Sequence, residues 1–368
     1  MIRIRAPGRI TLFGEHQDYL DYPIIAMAIS KYIFLEAKRV SGSYLSIELS
    51  DLNRHIEIKL NNKELEYQSK RDYLRSAYNQ YLRKGFRFQK GYKVKITGDI
   101  PINAGAASSS ALITAWLFFL NLICINHKKI NKSQLSLMGY DTEVKEFKEA
   151  GGMMDHFTSA YGNLIYLQPR RSRPKVINKN IKLEGFVLGD SLEKKETVED
   201  LYRVKDIAKA AFIEIKEAMP NFDQYSSSLD EIKKSLPNIK KEYQKKILGN
   251  IINRDITIQA KNLIFNRFYN KINKNKNLKN NFYLNLGDLL NKHHYQLKEN
   301  IEISTNKIEK MISSCLEVGA FGGKINGSGF GGTMFAIFPG SEDLLVEAIK
   351  QTGGEAFIIN TSNGVEIY

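Results

Sequence analysis

The chain has 368 residues, 43% hydrophobic and 26% charged, too long for one ordinary core and suited to two domains of roughly 150 to 200 residues. Its two cysteines, Cys124 and Cys315, lie far apart and in no CxxC or Cys/His spacing, which excludes a disulfide framework and a zinc site and suits a reducing cytoplasm. The net charge of +14 raises nucleic acid as a partner, but much of it sits in Lys/Asn-rich runs such as NKINKNKNLKNN over 270–281, with no helix-turn-helix, zinc finger or stacking-aromatic module, so no nucleic-acid role is expected.

The opening MIRIRAPGRI lacks the apolar segment of a secretory signal. IRIRA predicts a short strand, and residues 6–23, APGRITLFGEHQDYLDYP, then crowd Arg9, Glu15, His16 and Asp18 around two glycines. Such a cluster reads either as a solvated loop or as a binding surface. YIFLEAKRV, YLSIELS, HIEIKL and YKVKITGDI alternate as half-buried strands of a mostly antiparallel sheet, with SAYNQYLRKG a helix between two of them. The run ALITAWLFFLNLICI over 111–125 is shorter than the roughly 18 residues that span a bilayer. It predicts a buried helix over 108–126 and no membrane partner.

An amphipathic helix follows over 133–148, then a short helix in MMDHFTSAYG, the strand NLIYL and the basic turn QPRRSRPK. That turn marks a boundary between domains at 1–182 and 183–368. The second half opens with the strand GFVLGDS and turns helical over 197–219, 228–269, 286–298 and 304–318. GGKINGSGFGGTMFAIFPG then reads as strand, glycine loop and strand, before the helix SEDLLVEAIKQTG and the edge strands EAFIINTS and GVEIY. Mixed helices and strands without a repeat predict an α+β protein of two domains.

Three loops could carry chemistry. In PINAGAASSSALITAW, Gly105 permits a tight turn and Ser108, Ser109 and Ser110 stand before the apolar helix. That is either a serine-capped helix or an open helix N-terminus that binds anions, with a hydroxyl placed for Mg²⁺. INGSGFGG fits GxGxxG through Gly327, Gly329 and Gly332, but it runs into the strand TMFAIF instead of opening a helix, which rejects a dinucleotide fingerprint. It remains a glycine hairpin or a close-approach loop. In DTEVKEFKEAGGMMDHF, Glu143 is a surface or functional carboxylate, and Asp155 is a helix cap or a catalytic group.

The order GRITLFGEHQDY, PINAGAASSSA and KINGSGFGG, together with GGMMDHFTSAYG and LGDLLNKHHYQL, resembles the signature motifs of the GHMP small-molecule kinases, and within them most closely the galactokinases. The resemblance covers nearly the whole chain. It implies a two-domain fold with the active site in the cleft between domains, ATP and Mg²⁺ as cosubstrate and cofactor, and phosphorylation of a sugar's anomeric hydroxyl. By the same resemblance Asp155 is the proton acceptor and Arg9 its charged neighbour. Glu15, His16, Asp18, Gly152 and Tyr202 fall on sugar contacts. Pro101, Gly105, Ala106, Ala107, Ser108, Ser109 and Ser110 fall on the ATP loop, and Ser109 and Glu143 on the Mg²⁺ positions. Leu20 stands where the family has Asn, Gln17 replaces Thr, and Ala106 and Ala107 depart from the second motif. Galactose is the leading substrate; the alternatives are another sugar, a sugar phosphate or mevalonate, and a non-catalytic sugar sensor. A monomer is compatible with the sequence.

Overall fold

The computed structural model describes residues 1–101, 104–125, 130–170, 173–193, 197–265 and 275–368. Parts of the expected serine loop (102–103), of the long apolar helix (126), of the basic turn (171–172), of the helix over 228–269 (266–269) and of the Lys/Asn-rich turn (270–274) lie outside the described residues.

Strand β1 (Ile2–Phe13) is longer than IRIRA alone suggested. It continues through Arg9 because Ile10, Leu12 and Phe13 are fully buried and pair with β2 (Ile24–Val40), with slips in register between Pro7 and Arg9 and between Thr11 and Phe13. Residues 6–13 thus form a bulged strand, and Glu15, His16 and Asp18 follow it in a turn. One sheet runs β12 (Glu366–Ile367), β1, β2, β5 (Gly91–Gly98), β3 (Tyr44–Leu49), β4 (Arg54–Lys59), with β6 (Leu164–Gln168) on the first residues of β2 and β7 (Lys175–Lys179) on β6. All these pairs are antiparallel except β3 with β5. The second sheet is antiparallel, in the order β11 (Glu355–Ile359), β8 (Phe186–Asp190), β10 (Thr333–Ile337), β9 (Gly322–Ile325).

Helices α1 (Tyr73–Arg83), α2 (Ser108–Ile123), α3 (Lys132–Tyr140) and α4 (Met154–Tyr161) belong to the first half. The second half carries α5 (Thr197–Ala218), α6 (Leu229–Ser235), α7 (Lys241–Ile264), α8 (Lys276–Gln296), α9 (Asn306–Glu317) and α10 (Glu342–Gln351). The single helix expected over 228–269 is broken, because Pro237 turns the chain through Leu236–Asn238 between α6 and α7. The helix expected over 133–148 winds after Tyr140 into a π turn, Asp141–Lys145. One apolar core joins the sheets: Ile10, Leu12 and Trp116 belong to the same buried cluster as Phe186, Leu188, Phe335 and Ile337. The resulting architecture is a two-domain α+β fold. Among the described residues no helix is long and apolar enough to cross a membrane.

Candidate active site

Two cavities meet where β1, α2 and α4 converge. The smaller, about 140 Å³, is bordered by Glu15, His16, Asp18, Tyr19, Glu149, Gly152 and Leu201. The larger, about 520 Å³, is bordered by Gly105, Ala107, Ser108 and the apolar side chains of Leu49, Ile56, Ile96, Ile100 and Leu112. Arg9, Ser109, Glu143, Glu149, Asp155 and Ser328 border both.

Asp155 lies in the first turn of α4 but does not cap it: the N-cap is Met153, without a side-chain cap. The carboxylate turns instead to Arg9, whose Nε donates to Oδ1 at 2.7 Å and Nη2 to Oδ2 at 2.9 Å. This fork is geometrically specific and charge-assisted, and it leaves Arg9 buried while the Asp155 side chain stays 26% exposed. Asp18 reaches the start of the same helix, where Met154 N–H donates to its Oδ2 at 3.4 Å. Gly152 permits that approach, because a Cβ there would sit 1.7 Å from Asp18 Oδ2. Burial, and then the charge of Asp155, pushes the Asp18 carboxyl up from 3.8 to about 6.

Glu143 faces inward from the π turn, whose extra residue per turn re-aims a side chain. Its Oε2 accepts from Ser110 Oγ at 2.7 Å and from His156 Nε2 at 2.7 Å. Burial raises this carboxyl, but hydrogen bonds and charge from His156, with Ser109 and Ser110, outweigh burial and hold it below the usual range. At the start of α2, Ala107 takes a left-handed conformation (φ 63°) and no side chain caps the helix. The three serines therefore diverge: Ser110 is buried, Ser108 half-buried and Ser109 exposed, and the first amides of α2 stay uncapped by any side chain, an arrangement that favours anions.

The glycine loop after β9 packs against this loop. Gly327 has φ +77°, and a Cβ on it would come within 2.7 Å of the Gly105 carbonyl. Asn326 Nδ2 donates to Gly105 O at 3.1 Å, Thr11 N–H donates to Asn326 Oδ1 at 2.9 Å, and Thr333 Oγ1 donates to Ala104 O at 2.8 Å. The loop is a close-approach element that braces the serine loop against β1.

Glu15 is 1% exposed. Its Oε1 contacts Lys324 Nζ, and that ammonium also donates to the Thr11 and Ile325 carbonyls at 3.0 Å each. Burial raises Glu15 and lowers Lys324 to about 8, while their contact pulls each the other way. His16, at φ 59°, donates from Nε2 to Ser328 O at 2.9 Å and receives the Tyr19 hydroxyl at Nδ1, 3.0 Å. Tyr202 is set apart from the other expected positions: its hydroxyl donates to Lys148 O, and its neighbour Leu201 borders the smaller cavity. Pro101 borders the larger cavity, and Ala106 is buried and accepts from Arg9 N–H at 3.1 Å. His156, Glu149, Lys324, His293 and Asn326 were not among the expected site residues. The signal for Lys324 was available, a lone charge in the apolar strand GGKI, as was the His pair within α8.

Comparison with known proteins agrees with this geometry. Residues 72–163 match the GHMP kinases N terminal domain, residues 275–355 the GHMP kinases C terminal domain, and residues 2–39 the galactokinase galactose-binding signature. A galactokinase of Thermococcus kodakarensis is 25% identical over 381 residues, covering 100% of both chains. A mevalonate kinase of Pyrococcus furiosus is 25% identical over 365 residues, covering 97% of this chain and 95% of its own. In fold, the chain is similar to Lactococcus lactis galactokinase complexed with galactose, with a TM-score of 0.84 at 18% identity over 100% of this chain and 95% of that one. With the N- and C-terminal domain models both matched in order along it, this chain belongs to the GHMP kinases, ATP-dependent phosphotransferases that act on an alcohol group.

Proposed function

We propose that the protein phosphorylates the anomeric hydroxyl of a neutral aldose, galactose first among them, with domains at 1–182 and 183–368 closing the site. The observation that carries this reading is the charge of the smaller cavity. Among the described residues Glu15, Asp18, Glu149 and Asp155 border it and no lysine does, while Arg9 is already committed to Asp155. An acceptor bearing a carboxylate or phosphate, such as mevalonate or a sugar phosphate, would meet like charge there. A neutral polyol brings hydroxyl donors to acceptors that need them. Glu15, His16, Asp18 and the Gly152 backbone form its wall, with Tyr202 at the rim.

The serine loop from Pro101 through Ala106 to Ser110 and the larger cavity hold ATP. The donor set fits Mg²⁺: a hydroxyl at Ser109 and an ionised carboxylate at Glu143 are hard oxygen ligands, leaving the other positions to phosphates and water. Among the described residues no three His, Cys, Asp or Glu side chains form a metal cluster of their own, which suits a cation carried in with the nucleotide. When bound, Mg²⁺ neutralises charge on the phosphates. In the transfer, the anomeric oxygen forms a bond to the γ-phosphorus as the bond to ADP breaks, and the hydroxyl proton passes to Asp155. Arg9 holds both oxygens of Asp155 in place and stabilises the moving charge. The phosphoryl transition state is loose, so positioning of the acceptor matters more than early proton removal. Buried thiols at Cys124 and Cys315 suit the cytoplasm.

The test is ADP release against a panel of aldoses, mevalonate and sugar phosphates, with the product's phosphate located by NMR. A neutral aldose phosphorylated at its anomeric oxygen is expected. ADP release with mevalonate or a sugar phosphate alone overturns the reading, and sugar binding without ADP would make the protein a sensor.

A further inference from the structure

We propose that Lys324 is a positioning residue for the acceptor pocket, holding Glu15 from the opposite sheet as an ionised hydrogen-bond acceptor at the closed end of the smaller cavity. The inference rests on the acceptor reading above and adds a residue that does not itself border that cavity.

Lys324 is fully buried on β9, in the C-terminal half, while Glu15 follows β1. An ammonium has three hydrogens, and three oxygens receive them here: Thr11 O, Ile325 O and Glu15 Oε1. That complete set fixes the lysine as protonated and leaves it no rotational freedom. It also spends only one oxygen of Glu15. Among the described residues Oε2 has no hydrogen-bond partner, although the residue is 1% exposed. On the far side stands His293 of α8. Gly14 N–H donates to its Nε2 at 3.1 Å, so the ring proton sits on Nδ1, which is itself unpartnered and lies 3.8 Å from Oε2, beyond hydrogen-bond reach. Burial and the nearby Lys324 hold His293 neutral.

A buried carboxylate oxygen without a donor is costly unless something supplies one. The charged and titratable groups facing Glu15 are Lys324 from β9, His293 from α8 and Arg9 from β1, and Arg9 is committed to Asp155. Glu15 also borders the smaller cavity, and that wall is where the acceptor reading places a hydroxyl. Without Lys324 the carboxyl would keep its burial and lose its counter-charge, so it would become a protonated donor and the pocket would lose its acceptor.

The test uses Lys324→Met, Lys324→Arg, Glu15→Gln and the double variant Lys324→Met/Glu15→Gln in the full chain, with the sugar the wild type phosphorylates best. Lys324→Met should raise the acceptor KM roughly ten- to a hundredfold at pH 7 while leaving the ATP KM in place. Its acceptor KM should fall as pH rises and Glu15 regains its charge. Lys324→Arg should restore most of the affinity, and the double variant should match Glu15→Gln, both showing only the change near pH 6 that Asp18 brings. If Lys324→Met does not fold, the double variant, which buries no lone charge, carries the comparison. A folded Lys324→Met with the wild-type acceptor KM, equal weakening of ATP and acceptor, or a double variant much worse than Glu15→Gln overturns the proposal. If the wild type phosphorylates nothing in the panel, the functional reading fails, and infrared spectroscopy still decides this one. Folded Lys324→Met must show one protonated-carboxyl band that both the wild type and the double variant lack; its absence sinks the inference.

Discussion

The larger cavity sets apolar strand faces and an uncapped helix start beside charged side chains such as Arg54 and Arg71, and the smaller is walled mainly by carboxylates. At the first, Ala107 leaves the start of α2 uncapped by any side chain, and Leu49, Ile56 and Ile96 offer a flat apolar wall. A polyanion with an aromatic base needs no more than amide donors and a greasy slot. At the second, each carboxylate has a different environment: Glu15 is held by a lysine, Asp18 has no ion pair among the described residues and accepts from Met154 N–H, and Asp155 is clamped by a guanidinium. Hydroxyl recognition depends on which oxygen accepts and which side chain is ionised. Glu143 stands between the two, held ionised by His156 and the serines.

The largest expected break is at the junction. Asp155→Asn keeps the shape but removes the proposed proton acceptor, so ADP formation in a single turnover should fall about 10²- to 10⁴-fold while both ligands still bind. Since Arg9 holds both carboxylate oxygens, combining it with Arg9→Lys should cost little beyond the worse single variant. Near-normal turnover would remove Asp155 from the chemistry. Next comes the nucleotide side. His156→Phe strips Glu143 of a charge-assisted donor and should lower kcat about 10- to 100-fold with the acceptor KM unchanged. His156→Gln, which keeps an N–H donor, should recover much of it. Should both variants act equally, His156 would matter only as packing.

On the acceptor side, Asp18→Asn should weaken sugar binding roughly tenfold and leave ATP alone. Because its carboxyl is raised from 3.8 to about 6 in the folded protein, the folded state holds the proton more tightly and the charge costs stability above that range. Asp18→Asn should therefore unfold at higher temperature at pH 7, by an amount equivalent to about 1–2 kcal/mol after allowing for partial exposure, and the gain should vanish as pH falls from about 6 towards 3.8. The wild-type acceptor KM should improve as pH rises through about 6, an inflection missing from the variant. The smallest effect is expected at Tyr202→Phe, which loses only a bond to Lys148 O. An acceptor KM change of about threefold fits that rim position, and a fifty-fold change would bring the hydroxyl onto the sugar itself.

The sequence carried more about the cavities' loops than about what stands behind them. Glycines at 105, 327 and 329, serines before an apolar helix, and the GEHQD cluster are local signals, and each borders or braces the cleft. The strand reaching Phe13 was hidden because Arg9 breaks the apolar alternation, and its burial is met by Asp155, 146 residues away, and by the Gly105 carbonyl, 96 residues away. Pro237 was a stop signal within the helix expected over 228–269. His156 has no spacing that marks it, and the lone charge at Lys324 and the His pair at 293 and 294 stand out in their elements without naming a partner. Their roles come from tertiary partners, with separations of 13 residues for His156 to Glu143 and 309 for Lys324 to Glu15, and periodicity reports only neighbours along one element.

The brace formed by Asn326, Thr333 and Gly327 against residues 104 and 105 has a kinetic consequence. Two loops cross-linked by buried side-chain amide and hydroxyl bonds already share one shape before any nucleotide arrives, so little ordering entropy is left for binding to supply. Amide exchange at Thr11, Phe335 and Ala336 should accordingly be slow in the ligand-free protein and slow little further when ATP is added, whereas the exposed start of α2 at Ser109 should gain its protection almost wholly from the phosphates.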